Sequence, residues 1–266
     1  MHALESAHPG PVALVGSGEY LPQMQAVDRL LLERVGGASA RVVVLPTAAG
    51  LEEPASPQRW ARAGVRHFTD LGAQTDAVRI LVREDAFDPQ WLALLEQANL
   101  IYFSGGNPRH VVETLLDTPA WQTIRARHAA GAVLAGCSAG AMAFGHVTLQ
   151  PRRLWGTDSL NGAAPADVWY AALGLVPNVV VLPHFDRWMS RRGPSVFKQL
   201  AGSLPAGVTL VGIDEDTALV QISNDASVWH VMGRQGVSII DVEHGEIRHR
   251  SGAEIVLGER ATGGAR

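Results

Sequence analysis

The pentapeptide Gly136-Cys137-Ser138-Ala139-Gly140 restricts the chain path more than any other stretch of this sequence. The apolar run Ala132-Val133-Leu134-Ala135 leads into it, and the small residues Ala141-Met142-Ala143 follow. A buried strand, a sharp turn bearing one reactive side chain and then a helix is the layout of a nucleophile elbow. Glycine is needed on both flanks, because a side chain there would collide with the neighbouring strand or helix. Ser138 is the tip in this register, with its hydroxyl held above the sheet. The Ala139 N–H, at the helix N-terminus, points where an oxyanion would form. Cys137 occupies an intervening position, where the side chain turns away from the tip, and reads as a small buried thiol. The chain has 28 glycines in 266 residues, so a bare Gly-x-Ser-x-Gly arises by chance. It is the strand before and the helix after that give it weight.

The rest of the first half supplies such a context. Short apolar runs at Pro11–Val15, Arg41–Pro46, Val78–Val82 and Leu100–Phe103 alternate with stretches of helical spacing. Helices are expected over about 22–35 and 57–71, from Asp88-Pro89, and from about Arg109 and Pro119. Strands that are apolar on both faces, each followed by a helix, predict an α/β fold. Its mostly parallel sheet is covered by helices on both sides. The second half differs. A polar stretch over 150–166 reads as a loop, residues 167–173 as a helical patch and Val179–Leu182 as a strand. A helix is expected over about 194–202. Short strands at 209–213, 218–222, 227–231 and 237–242 predict an antiparallel C-terminal extension. No linker or repeat divides the chain, so residues 1–266 read as one domain, with a core over about 11–242 and a frayed tail over about 258–266.

Composition narrows the class. The chain is 47% hydrophobic and 18% charged, with a formal net charge of −4 and no basic block. This disfavours nucleic acid or an anionic membrane as the main partner. A single cysteine permits no intrachain disulfide and no thiolate metal cluster, and no metal or other cofactor is expected. The N-terminus carries no signal-peptide pattern and no apolar run is long enough to span a bilayer, so the expected location is the cytoplasm. The late strands and exposed tryptophans are the expected interface of a homo-oligomer.

A serine hydroxyl needs a base, and the base needs a carboxylate to hold its tautomer. Of ten histidines, His2, His8, His67, His128, His244 and His249 read as surface residues, His110 and His146 have no distinctive setting, and His230 reads as structural. His184 follows an apolar strand within Leu182-Pro183-His184-Phe185-Asp186, at a carboxyl end, where ligands of open α/β sheets bind. The acidic triplet Asp214-Glu215-Asp216 lies between two apolar strands, with Glu215 facing opposite to its neighbours. Asp158 and Asp186 are rival carboxylates. Gly105 and Gly106 follow another strand and offer backbone donors, with Asn107 as a helix N-cap. Arg187, Arg191 and Arg192 are candidates for binding a substrate carboxylate.

Together these segments resemble the serine peptidase family of aspartyl dipeptidase (dipeptidase E) and cyanophycinase. The matching stretches are Gly16-Ser17-Gly18-Glu19, Phe103-Ser104-Gly105-Gly106-Asn107, Gly136–Ala141, Pro183-His184-Phe185 and Gly212–Leu219, in the family's order. The resemblance implies a three-layer core like that of class I glutamine amidotransferases, with serine in place of their elbow cysteine. It implies Ser138 as nucleophile, His184 as base, Glu215 as acid (with a second assignment near Asp158), and Gly106 and Ala139 as oxyanion donors. Asn107 and the arginines would bind a short peptide. Gly105-Gly106-Asn107-Pro108 is closer to the dipeptidase pattern. Gly212–Leu219 is closer to cyanophycinase, whose arginine series is matched only in part by Arg191-Arg192-Gly193. The leading expectation is therefore a serine exopeptidase, either dipeptidase E-like or carboxypeptidase-like. The alternatives are a cyanophycinase-like hydrolase of aspartyl-arginine peptides, a Cys137 hydrolase, and a non-catalytic binding or stress protein on the same fold.

Overall fold

In a computed structural model, residues 8–149, 168–222 and 227–257 are described. Among the described residues, fourteen strands and eight α-helices succeed one another as follows. β1 (Val12–Val15) precedes α1 (Gln25–Arg34), and β2 (Arg41–Leu45) precedes α2 (Ala55–Asp70). β3 (Gln74–Ala77), α3 (Pro89–Gln97), β4 (Leu100–Phe103), α4 (Pro108–Leu115) and α5 (Pro119–Ala129) follow. β5 (Val133–Cys137) and α6 (Ala139–Phe144) form the elbow region, and β6 (Val147–Leu149) pairs with β7 (Trp169–Ala171). The chain continues through β8 (Val179–Leu182), α7 (Phe185–Arg192), α8 (Pro194–Gly202), β9 (Thr209–Ile213), β10 (Thr217–Gln221), β11 (Val228–Gly233), β12 (Gly236–Asp241), β13 (Gly245–Arg250) and β14 (Glu254–Val256).

The main sheet has the order β14-β11-β10-β1-β5-β4-β2-β3. Its five strands from β1 to β3 are parallel, and β10, β11 and β14 extend it antiparallel. Alternation along the strands divides the side chains between two apolar layers. Leu14, Val43, Leu45, Ile101, Phe103 and Leu134 face α3 to α6, whereas Ala13, Val15, Val42, Val44, Tyr102 and Ala135 face α1 and α2. This double burial is why the core strands read as unbroken apolar runs.

The structure departs from the sequence pattern in several places. The third strand is the polar Gln74–Ala77, not 78–82. It is a sheet edge, half open to solvent, so its pattern is not apolar. Val78 and Ile80 are buried just after it, in chain that has run past the end of β2. The helical patch expected over 167–173 contains strand β7, because β6 offers it a partner. The basic stretch after His184 is itself a helix, α7. The late strands do not all extend one sheet: β8, β9, β12 and β13 form a separate four-stranded sheet, in which β8 and β9 are parallel. Strands β13 and β14 lie beyond residue 242. The 150–166 loop and the 258–266 tail fall outside the described residues. None of the described tryptophans is exposed. Trp121, Trp169 and Trp229 are buried, and Trp60, Trp91 and Trp188 are half-buried. They offer no exposed aromatic surface for an oligomer. No described helix is long and apolar enough to cross a membrane.

Phe68 on α2 is fully buried against Tyr20 and Tyr102. Phe68→Ala should therefore lower the unfolding free energy by about 3–5 kcal/mol, the usual cost of an aromatic cavity. Urea denaturation followed by tryptophan fluorescence measures it, and an unchanged midpoint would contradict this packing.

Candidate active site

The elbow forms because its glycines let three backbones crowd together. A Cβ on Gly136 would lie 2.6 Å from the Gly140 carbonyl carbon, and one on Gly140 would lie 2.7 Å from the Phe103 oxygen of β4. Ser138 between them has φ 50° and ψ −111°, a conformation that non-glycine residues rarely adopt. Such strain, of order 1–3 kcal/mol, persists only where the surroundings enforce it. Here β5 and α6 do so from both sides. The Ser138 side chain does not cap α6 but is aimed outward.

Its partner is His184, whose Nε2 lies 3.1 Å from Ser138 Oγ. His184 follows β8 at φ 52°, and its carbonyl accepts from the Arg187 and Trp188 N–H groups at the start of α7. The ring is thus held by a strand on one side and a helix on the other. His184 Nδ1 lies 2.7 Å from Glu215 Oε1. The carboxylate fixes the tautomer with the proton on Nδ1, leaving Nε2 as acceptor for the serine hydroxyl. The chain order is Ser, His, Glu.

Glu215 is itself held from several directions. Arg187 Nη2 lies 2.7 Å from its second oxygen. Its backbone N–H donates to Asp186 Oδ1 at 3.0 Å, and its carbonyl accepts from Gln235 Nε2 at 3.1 Å and Thr217 Oγ1 at 3.1 Å. Asp186, a rival in the sequence, contacts the Glu215 backbone and not the histidine ring. Asp214 is fully buried and paired with Arg248 and the Gly236 N–H, and Asp216 accepts from Gln23. Asp158 lies outside the described residues.

The turn after β4 approaches from the other side. Asn107 caps α4 by accepting from the His110 N–H at 3.2 Å, so its side-chain oxygen is occupied by the helix. Gly106 has φ 143°, and a Cβ there would lie 2.3 Å from the Ala48 oxygen. Among the described residues, neither the Gly106 N–H nor the Ala139 N–H donates a hydrogen bond. The preceding Gly105 backs onto the elbow, where a Cβ on it would lie 3.4 Å from Ser138 Cβ.

The arginines separate. Arg187, expected to bind substrate, has the triad-like carboxylate as its partner, because α7 begins directly after His184 and returns its first turn to Glu215. Arg191 is exposed one turn further along the same face. Arg192 ends the helix, half-buried. His67, expected at the surface, is buried on α2 with Nε2 2.8 Å from Asp28 Oδ2. Cys137 is fully buried beneath the elbow, its thiol 2.9 Å from Glu19 Oε2. Burial first, and the Glu19 carboxylate second, push that thiol well above the ordinary range. Gln235 belongs to no recognisable sequence motif and sits in the β11–β12 turn.

A strained serine after a parallel strand, hydrogen-bonded to a histidine that is hydrogen-bonded to a glutamate, defines the serine hydrolase class. Residues 12–229 match peptidase family S51. The chain is 30% identical over 233 residues to a cyanophycinase from Trichormus variabilis, covering 86% of this chain and 73% of that protein. It is 28% identical to one from Synechococcus elongatus, covering 89% and 69%. Among solved structures, it resembles a peptidase from an acI-B1 actinobacterium with TM-score 0.81 and 35% identity over 94% of this chain and 98% of that one. A Listeria monocytogenes EGD-e protein at 20% identity shares the fold, with TM-score 0.58 over 85% of this chain and 99% of its own. This chain belongs to peptidase family S51 and is a serine-type peptidase.

Iodoacetamide should leave Cys137 unmodified in the folded protein, with hydrolysis intact, and should alkylate it in denaturing urea. Intact-mass spectrometry reads both states. Rapid native alkylation with loss of activity would move the nucleophile from oxygen to sulfur.

Proposed function

We propose that this chain is a serine exopeptidase that hydrolyses short peptides through Ser138, His184 and Glu215. The observation that carries the reading is the unbroken relay from Ser138 Oγ to His184 at 3.1 Å and from His184 to Glu215 at 2.7 Å. Ser138 attacks the scissile carbonyl while His184 Nε2 takes its proton. Glu215 holds the ring and stabilises the resulting imidazolium. The tetrahedral intermediate places its oxyanion between the Gly106 and Ala139 N–H groups. His184 then protonates the departing amine, the acyl–Ser138 ester remains, and water activated by the same imidazole releases the acid.

Arg187 holds Glu215 in place with one terminal nitrogen. The carboxylate of a substrate, whether an acidic side chain or a free C-terminus, falls to Arg191, which projects from the same helix face into solvent. That assignment favours small anionic peptides, and a dipeptidase E-like specificity follows. The 30% identity to a cyanophycinase supports a second reading, in which the substrate is an aspartyl-arginine peptide.

Ser138→Ala should lower kcat by roughly 10³- to 10⁶-fold with the fold intact. A library of dipeptides and tripeptides, including aspartyl-leucine and β-aspartyl-arginine, is assayed with both proteins, and a fluorophosphonate should label wild type alone. Peptidase activity retained in Ser138→Ala would end this reading. Arg191→Gln should raise KM for acidic peptides about tenfold with little change in kcat, the pattern of a lost binding contact. Equal KM values in the two proteins would remove Arg191 from the substrate.

A further inference from the structure

We infer that Glu19 is a positioning residue that sets the distance between the two halves of the oxyanion hole. The inference rests on the Ser138 reading above. Glu19 leaves β1 and is nearly buried beneath the elbow. One carboxylate oxygen accepts from the Gly105 N–H at 2.9 Å, and the other accepts from the Cys137 thiol at 2.9 Å. A single side chain therefore ties the turn after β4 to the residue preceding Ser138, bridging positions far apart in the chain.

The turn after β4 is pinned at successive amides. The Ser104 N–H donates to the Leu45 oxygen at 3.1 Å, the Gly105 N–H to Glu19, and the Asn107 N–H to the Ala48 oxygen at 2.7 Å. Gly106, between the last two anchors, is the one amide of the four without an acceptor. Fixing the planes on either side of it fixes where its N–H points. Without Glu19 the Gly105 amide loses its anchor, and the Gly106 donor is free to rotate away from the Ala139 donor. Packing leaves little space to spare at this point: a Cβ on Gly105 would lie 3.0 Å from Glu19 Oε1 and 3.4 Å from Ser138 Cβ.

Glu19 is in turn held by its neighbour. Tyr20 adopts φ 65°, and its ring packs against Tyr102, Phe68, His67 and Trp60, with centroids 5.3 to 6.3 Å apart. The aromatic cluster makes the Glu19 backbone a fixed base, so side-chain length determines where the carboxylate reaches. Glutamine has the same length and keeps an acceptor for Gly105, whereas aspartate falls short by one methylene.

The test is saturation labelling of Ser138 by a fluorophosphonate, with kcat and KM on the best dipeptide of the library and a thermal melt for each protein. Losing or displacing one donor by about 1 Å typically costs on the order of 10²-fold in the chemical step. Glu19→Ala and Glu19→Asp should each lower the maximal labelling rate and kcat by about 10²-fold, with KM and the half-saturating concentration within about threefold. Glu19→Gln should restore both to within about fivefold of wild type, because reach and not charge is retained. Cys137→Ala, which cuts only the thiol arm, should lose less than Glu19→Ala. Wild-type rates in the folded Asp or Ala variants would overturn the inference, as would a Gln variant as slow as Ala. If Ala does not melt cooperatively, the Asp and Gln pair decides. Failure of wild type itself to label would instead refute the Ser138 reading.

Discussion

The site depends on a close backbone approach between two sheets. A Cβ on Gly16, just after β1 of the larger sheet, would lie only 2.1 Å from the oxygen of Asp214, just after β9 of the smaller sheet. At this point the chain leaves β9 in the smaller sheet and enters β10 in the larger one, beside β1. Glu215 sits on that crossing. Strand β5, with Ser138 at its end, pairs with β1 on the other side, and β8, with His184 at its end, pairs with β9. Any side chain at position 16 would separate the sheets and with them the serine from its base.

Once the sheets are joined, chemistry follows from geometry. Parallel strands deliver their carboxyl ends to one edge, where the turns expose backbone donors and reactive tips. The apolar layers on both faces make these ends rigid. The elbow's backbone strain, the histidine in a left-handed conformation and the glycine turn after β4 each cost stability locally. They are held by the same close packing that produces them.

Much of this was legible in the sequence. The parallel core showed itself because strands buried on both faces read as apolar runs, and the elbow because only glycine tolerates its neighbours. His184 and Glu215 stood out through position and through resemblance to the dipeptidase E and cyanophycinase family. Other features were hidden. β3 and β7 carry ordinary polar or aromatic residues and are strands only because a partner edge is present. Gln235 and Arg248 reach the site region from the C-terminal strands, and no local pattern marks them. The tryptophans looked like surface features because composition does not reveal burial.

Residue order and local sterics thus determined the fold class and the serine at the turn. These are properties of the nearest few residues along the chain, and a sequence contains them directly. Only the tertiary structure decided which acid meets His184, that Arg187 binds Glu215, and that Glu19 joins Gly105 to Cys137. Those contacts link residues tens to more than a hundred positions apart. They exist because two sheets pack at one seam, and hydrogen bonds of about 3 Å form only after that packing has set the distance.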